Sequence, residues 1–179
     1  MDHGRIDIDR LARRRETLAG NWPLAGFERL GTLLAADDGE VRWQASARRQ
    51  RRVEGGEDTF LTLAIEALLT VPCVRCLGPV EVPVDDRREF LLVADEETAE
   101  RLDDPDSDLE VIAADTPFRL AELVEDELIL SVPPLPRHPA CELPIAAEEA
   151  GAEAEAPADT RRPFEGLDKL RGGADETDS

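Results

Sequence analysis

Two runs of apolar–polar alternation, separated by a glycine turn, constrain this chain more than any other feature. In the first, Val41, Trp43, Ala45 and Ala47 alternate with Glu40, Arg42, Gln44, Ser46 and Arg48. In the second, Leu61, Leu63, Ile65, Ala67, Leu69 and Val71 share one side, with Thr62, Glu66 and Thr70 opposite. A period of two is that of a strand with one buried face. Glu54-Gly55-Gly56-Glu57 lies between them, so the pair is expected to close as an antiparallel hairpin.

Flanking segments extend the pattern. Phe27–Ala35 precedes a turn at Ala36-Asp37-Asp38-Gly39 and is expected to add a strand. Val80, Val82 and Val84 alternate with Glu81, Pro83 and Asp85, and Phe90–Val93 continues or restarts that strand. Pro72, Pro79 and Pro83 suit strand ends or an edge, where no ladder donor is needed. A short amphipathic helix is expected near 9–17, with Leu11 and Leu18 among Arg10, Arg13, Arg14 and Arg15. Residues 94–110 read as an acidic loop, with a short strand at Leu109–Ala113. Thr116-Pro117 signals a helix start, Leu120, Leu123, Val124 and Leu128 supply a buried stripe, and Pro133-Pro134 stops the helix. Glu122, Glu125 and Asp126 are expected to face outward. The fold class is therefore α+β: an antiparallel meander over residues 1–141, covered by a helix at 117–132.

Beyond it, residues 142–162 are rich in Ala, Glu and Pro with no periodic apolar face, too little to offset chain entropy, and read as a disordered acidic linker. Residues 142–179 thus form a tail, ending in the short motif Pro163-Phe164-Glu165-Gly166-Leu167-Asp168-Lys169-Leu170. One or two helical turns would bring Phe164, Leu167 and Leu170 to one side as partner-binding anchors; a frayed tail with three chance apolar residues is the bland alternative.

Charge narrows the function. The net charge is −20; residues 1–92 hold 16 acids and 14 bases, residues 93–179 hold 25 and 7. Such a field repels phosphate, so any RNA contact needs a local basic patch. Arg48, Arg49, Arg51 and Arg52 form one candidate, able either to contact RNA phosphates or to pair with the acidic half. No run of about 18 apolar residues exists, and a cytoplasmic location is expected.

Cys73 and Cys76, three apart between strands, can chelate one ion; His138 and Cys141 repeat that spacing and would complete a tetrahedral Cys3His zinc set if the fold joins them. The rival is a pair of free thiols with a solvent histidine. A thioredoxin-like pair needs a helix N-terminus, whereas the alternating valines after Cys76 indicate a strand. His3 and His138 are the only histidines, and no phosphate-cradling glycine loop is present, so no catalytic set emerges.

Three segments carry a family resemblance: Cys73-Val-Arg-Cys76-Leu77 before a strand; Leu123-Val-Glu-Asp-Glu-Leu-Ile-Leu-Ser-Val-Pro133 leading to Leu135-Pro-Arg-His138; and the terminal Pro163-Phe164 with Leu167 and Leu170. In order and spacing they resemble the YceD family of large ribosomal RNA accumulation proteins. Some members carry a second cysteine cluster after the helix, where this chain has His138-Pro-Ala-Cys141. The resemblance implies a non-enzymatic binding factor in the synthesis, processing or stability of 23S ribosomal RNA, with pre-ribosomal large-subunit material or its assembly proteins as partners. The alternative is a small zinc-dependent or thiol-redox protein centred on Cys73 and Cys76.

Overall fold

In the computed structural model, which describes residues 4–53, 55–104, 107, 109–114 and 116–141, the two alternating runs form the long central hairpin. In chain order the elements are β1 (Arg5–Ile6), α1 (Ile8–Arg14), β2 (Thr17–Pro23), a 3₁₀ turn (Leu24–Gly26), α2 (Glu28–Gly31), β3 (Glu40–Arg51) and β4 (Glu57–Pro72). There follow β5 (Pro79–Val93), α3 (Glu96–Leu102), β6 (Glu110–Ala113), β7 (Phe118–Arg119) and α4 (Leu120–Ser131). The sheet order is β2-β3-β4-β5-β6, with β1 and β7 pairing separately as a two-residue ribbon. Among the described residues the fold is α+β with a mostly antiparallel sheet; only β6 runs parallel to its neighbour β5.

The β3–β4 register sets Trp43 against Ile65 and Ala45 against Leu63, which puts all the inward residues of both runs on one face. Gly55 and Gly56 both take positive φ, 95° and 91°, in the turn that closes the hairpin. α4 lies over that face through Leu120, Val124 and Leu128, all fully buried in one cluster with Leu24, Leu30, Val41, Leu61, Leu69 and Phe90. Each such side chain contributes roughly 1.5–3 kcal/mol by leaving water. α1 docks at the far end of β3, where Leu11 and Ala12 meet Ala47.

Several expectations are corrected. The strand beside β3 is β2 at 17–23, and the Phe27–Ala35 segment instead holds the helical turn α2. Gly20 explains why β2 gives no alternating signal: it lies under the Trp43 indole, where a Cβ would come within 3.0 Å of the ring. α1 ends at Arg14, not 17, and the 94–110 stretch contains α3, capped by the Asp95 carboxylate accepting from the Thr98 amide at 2.8 Å. The covering helix begins at Leu120; residues 118–119 are strand, so Thr116 does not cap it. The linker at 142–162 and the Phe164, Leu167 and Leu170 motif lie outside the described residues.

Glu125 is buried, contrary to its expected outward place, and so is Glu127. Arg88 Nε lies 3.0 Å from Glu127 Oε2, but its N–H is directed at Asp86 Oδ2, 2.9 Å away. Glu127 Oε2 therefore has a charge contact without a hydrogen bond among the described atoms. Burial pushes this carboxyl up to about 7 against the pull of Arg88, and Glu110, Asp86 and Asp126 add to the rise. Because the folded value lies above the unfolded one, the folded state holds a proton that the unfolded chain releases as pH rises. The contribution of Glu127 is thus fully present below about 4.5 and is lost as pH rises through about 7. Glu127→Gln, which cannot ionise, is expected to match the parent at pH 4.5 and exceed it by about 1–3 kcal/mol at pH 8. Denaturant unfolding at the two pH values checks this; an equal difference at both would contradict it.

Candidate metal centre

The inward side of β4 continues past Val71 to Cys73, which is fully buried. Pro72 and Pro79 make the last pair of β4 and β5, and the chain between them folds into a tight knuckle. The Cys73 amide donates to the Gly78 carbonyl at 2.8 Å and the Leu77 amide to the Cys73 carbonyl at 2.9 Å. Leu77 adopts φ 60°, the left-handed conformation that such a turn requires. The segment after α4 lies alongside, stitched by the Val74 amide donating to the Pro136 carbonyl at 2.9 Å.

This stitching brings together pairs more than 60 positions apart in sequence. Cys73 Sγ lies 3.9 Å from Cys141 Sγ, and Cys76 Sγ lies 3.4 Å from His138 Nδ1. The four ligand atoms all fall within 4.8 Å of one another, and the three cysteines are unbridged. Tetrahedral zinc with Zn–S near 2.3 Å and Zn–N near 2.0–2.1 Å sets ligand atoms about 3.8 Å apart for S–S and about 3.6 Å for S–N. The spacing fits that ion. His138 is also oriented for it: Nε2 donates to the Pro79 carbonyl at 2.7 Å, leaving the Nδ1 lone pair facing the sulfurs. A histidine ligand whose other nitrogen is held by a carbonyl is the usual outer support of a metal site.

The electrostatics prepare Cys73 as a thiolate ligand and leave protons on its neighbours for an ion to displace. The Cys76 backbone amide, with those of Arg75 and His138, lowers the Cys73 thiol to about 5 against the effect of burial. The His138 imidazole is raised above its ordinary value by the Pro79 carbonyl and then by Cys73. Burial first, then the neighbouring Cys73 sulfur, raises the Cys141 thiol. Two sulfurs this close resist ionising together unless a cation lies between them. Four protein ligands leave no open position for substrate, which is the pattern of a structural ion, not a catalytic one. Cys73 and Cys76 sit on a knuckle between strands, without the helix N-terminus of a thiol-redox pair.

The hairpin arginines are placed differently. Arg48 forms a forked pair with Glu89, 3.0 Å at its shortest, and stacks over Phe60 at 4.2 Å. Arg49 meets Asp9 at 2.7 Å and Glu57 at 3.5 Å, Arg52 meets Asp58 at 3.2 Å, and Arg51 approaches Glu57 at 3.9 Å. Each candidate RNA contact thus faces a carboxylate.

Glu125, one of the acids expected to face outward, instead clamps α4 to α2, whereas Asp126 stays half-exposed. Glu125 Oε1 accepts from the Arg29 and Leu30 amides at 2.8 and 3.1 Å, and Oε2 accepts from the Arg29 guanidinium at 3.0 and 3.1 Å. Asp126 takes the remaining arm of Arg29 at 2.6 Å. The signal in the sequence was three adjacent acids, Glu125, Asp126 and Glu127, set between the apolar pairs Leu123-Val124 and Leu128-Ile129.

Compared with known proteins, the chain matches the family model described as large ribosomal RNA subunit accumulation protein YceD over residues 61–171. That span contains β4 from Leu61 onward, the knuckle, α4 and all four candidate ligand residues. No curated protein and no solved structure gives a significant match. The matched segment exceeds half of the chain, and the protein belongs to the YceD family.

Proposed function

We propose that this protein is a cytoplasmic binding factor, not an enzyme, that supports accumulation of 23S ribosomal RNA by acting on pre-ribosomal large-subunit material or its assembly proteins. The family match over residues 61–171 is the observation that carries this reading. Zinc held by Cys73, Cys76, His138 and Cys141 would supply cross-linking rather than chemistry: it ties the segment after α4 to the β4–β5 knuckle and so fixes one end of the domain. In the same reading the terminal motif, with Phe164, Leu167 and Leu170 as anchors, works as a tethered partner-binding element whose linker raises its effective concentration.

The lowered Cys73 thiol is the one observation that favours the second reading, a thiol-redox protein. Complete burial of Cys73 opposes it, since an attacking thiolate must be reached by its substrate. Affinity capture of the full chain from cells, with bound RNA and proteins identified, separates the two. Large-subunit precursors should be recovered, and the Phe164→Ala/Leu167→Ala/Leu170→Ala variant should lose protein partners. Recovery of neither RNA nor assembly proteins, together with turnover of a small disulfide, would favour the redox reading.

A further inference from the structure

We infer that the outer face of α1 with its C-cap, carrying Arg10 and Arg13 on the helix and Arg15 at the cap, is a docking surface for the phosphate backbone of RNA. The inference rests on the ribosomal reading above and adds to it a surface that lies outside the family-matched segment, since α1 precedes residue 61. It begins from a contrast. The hairpin arginines, the more obvious basic cluster in the sequence, all face carboxylates. On α1 the acids are instead used up elsewhere: Asp7 caps the helix by accepting from the Arg10 amide at 2.8 Å, and Asp9 reaches across to Arg49 at 2.7 Å. Glu16 meets Arg14 at 3.4 Å. Arg10, Arg13 and Arg15 are exposed and have no carboxylate partner among the described residues.

The helix is also held rigidly. Leu11 and Ala12 pack against Ala47, so the opposite side carries Arg10 and Arg13 outward, Arg15 is exposed at the cap, and the Asp9–Arg49 pair ties the helix to the hairpin. Arg13 and Arg14 in the last turn are accounted for in part by attraction to the carboxyl end of the helix dipole. That account does not extend to Arg10 at the opposite end. In a chain of net charge −20, a cluster of exposed guanidinium groups without ion-pair partners among the described residues is the place where a polyanion can approach. Guanidinium forks match phosphate oxygens two at a time, and contacts of this kind position RNA without reading its sequence.

Three phosphate contacts give a defined salt dependence. Binding of a short fluorescein-labelled single-stranded RNA from the large-subunit transcript, followed by anisotropy, should weaken with salt at a log–log slope of about −2. Arg10→Gln/Arg13→Gln should reduce that slope to about −0.7 and weaken binding roughly tenfold at low salt. Arg48→Gln/Arg51→Gln should leave both within about twofold. The Arg15→Gln variant is kept separate because Arg15 closes the helix at φ 52°, and circular dichroism confirms folding of each protein. Absence of RNA binding by the full chain would overturn the inference, as would unchanged affinity and slope in a folded Arg10→Gln/Arg13→Gln protein. Displacement of the RNA by polyglutamate at equal charge concentration would assign the face to an acidic protein instead. If cellular capture of large-subunit precursors survives Arg10→Gln/Arg13→Gln, the ribosomal reading stands and this inference fails.

Discussion

Glu125→Ala is expected to destabilise the protein by about 3 kcal/mol, among the largest effects of any single substitution outside the metal centre. The first amides of a helix lack partners within it and are ordinarily satisfied by an N-cap side chain. α2 is capped by Phe27, which has no acceptor to offer, and the amides of Arg29 and Leu30 are taken by Glu125 from 96 and 95 positions away. Truncation at 125 leaves the buried Leu30 amide without a partner, leaves Arg29 with Asp126 alone and opens a gap between α2 and α4. The Arg29 side chain is 55% exposed, which screens its part of the ion pair and keeps the estimate below that of a fully buried pair. Glu125→Gln, which keeps the amide acceptor and loses the charge, should fall between, at about 1–2 kcal/mol. Urea unfolding with an unchanged m-value measures both. A loss under about 1 kcal/mol in Glu125→Ala would show that α2 is held by Leu30 packing alone.

Loss of metal is expected to be at least as costly. Protein purified without a histidine tag should carry about one zinc per chain, and chelation or Cys76→Ser should lower the melting temperature by roughly 10 °C, equivalent to about 3 kcal/mol at this size. The physical cause is local: without the ion, the segment from Pro136 to Cys141 keeps the Val74–Pro136 and His138–Pro79 hydrogen bonds and the weak Cys73–Cys141 sulfur contact but loses the cross-link. Cys141→Ser provides a second variant whose replaced side chain is not fully buried, so its effect reports the metal more than the packing. Metal-free protein that melts with the parent, and a Cys141→Ser variant that does so too, would end the zinc assignment.

The parts of this fold that were legible in the sequence are those whose two faces differ. β3 and β4 alternate because one side meets α4 and the other water, and α4 shows Leu120, Val124 and Leu128 because a single stripe is buried. Legibility fails where a charged residue occupies a core-facing position. Asp86 and Arg88 stand in the inward row between Val84 and Phe90, so β5 looks broken at 85–89 although it runs unbroken from Pro79 to Val93. β2 is obscured by Gly20 and Pro23, and α2 is a single turn whose cap is remote. The metal ligands show the same division. Their paired spacing was visible within each loop, but that His138 comes beside Cys76 depends on the Val74–Pro136 and His138–Pro79 hydrogen bonds, which no local pattern encodes.

The central claim, a role in large-subunit ribosomal RNA accumulation, is tested most directly by the ratio of 23S to 16S ribosomal RNA in cells depleted of this protein and then supplied with it from a plasmid. The account predicts that the ratio falls on depletion and is restored by the parent chain but not by Cys76→Ser. A ratio that stays constant through depletion, with growth otherwise impaired, would contradict it.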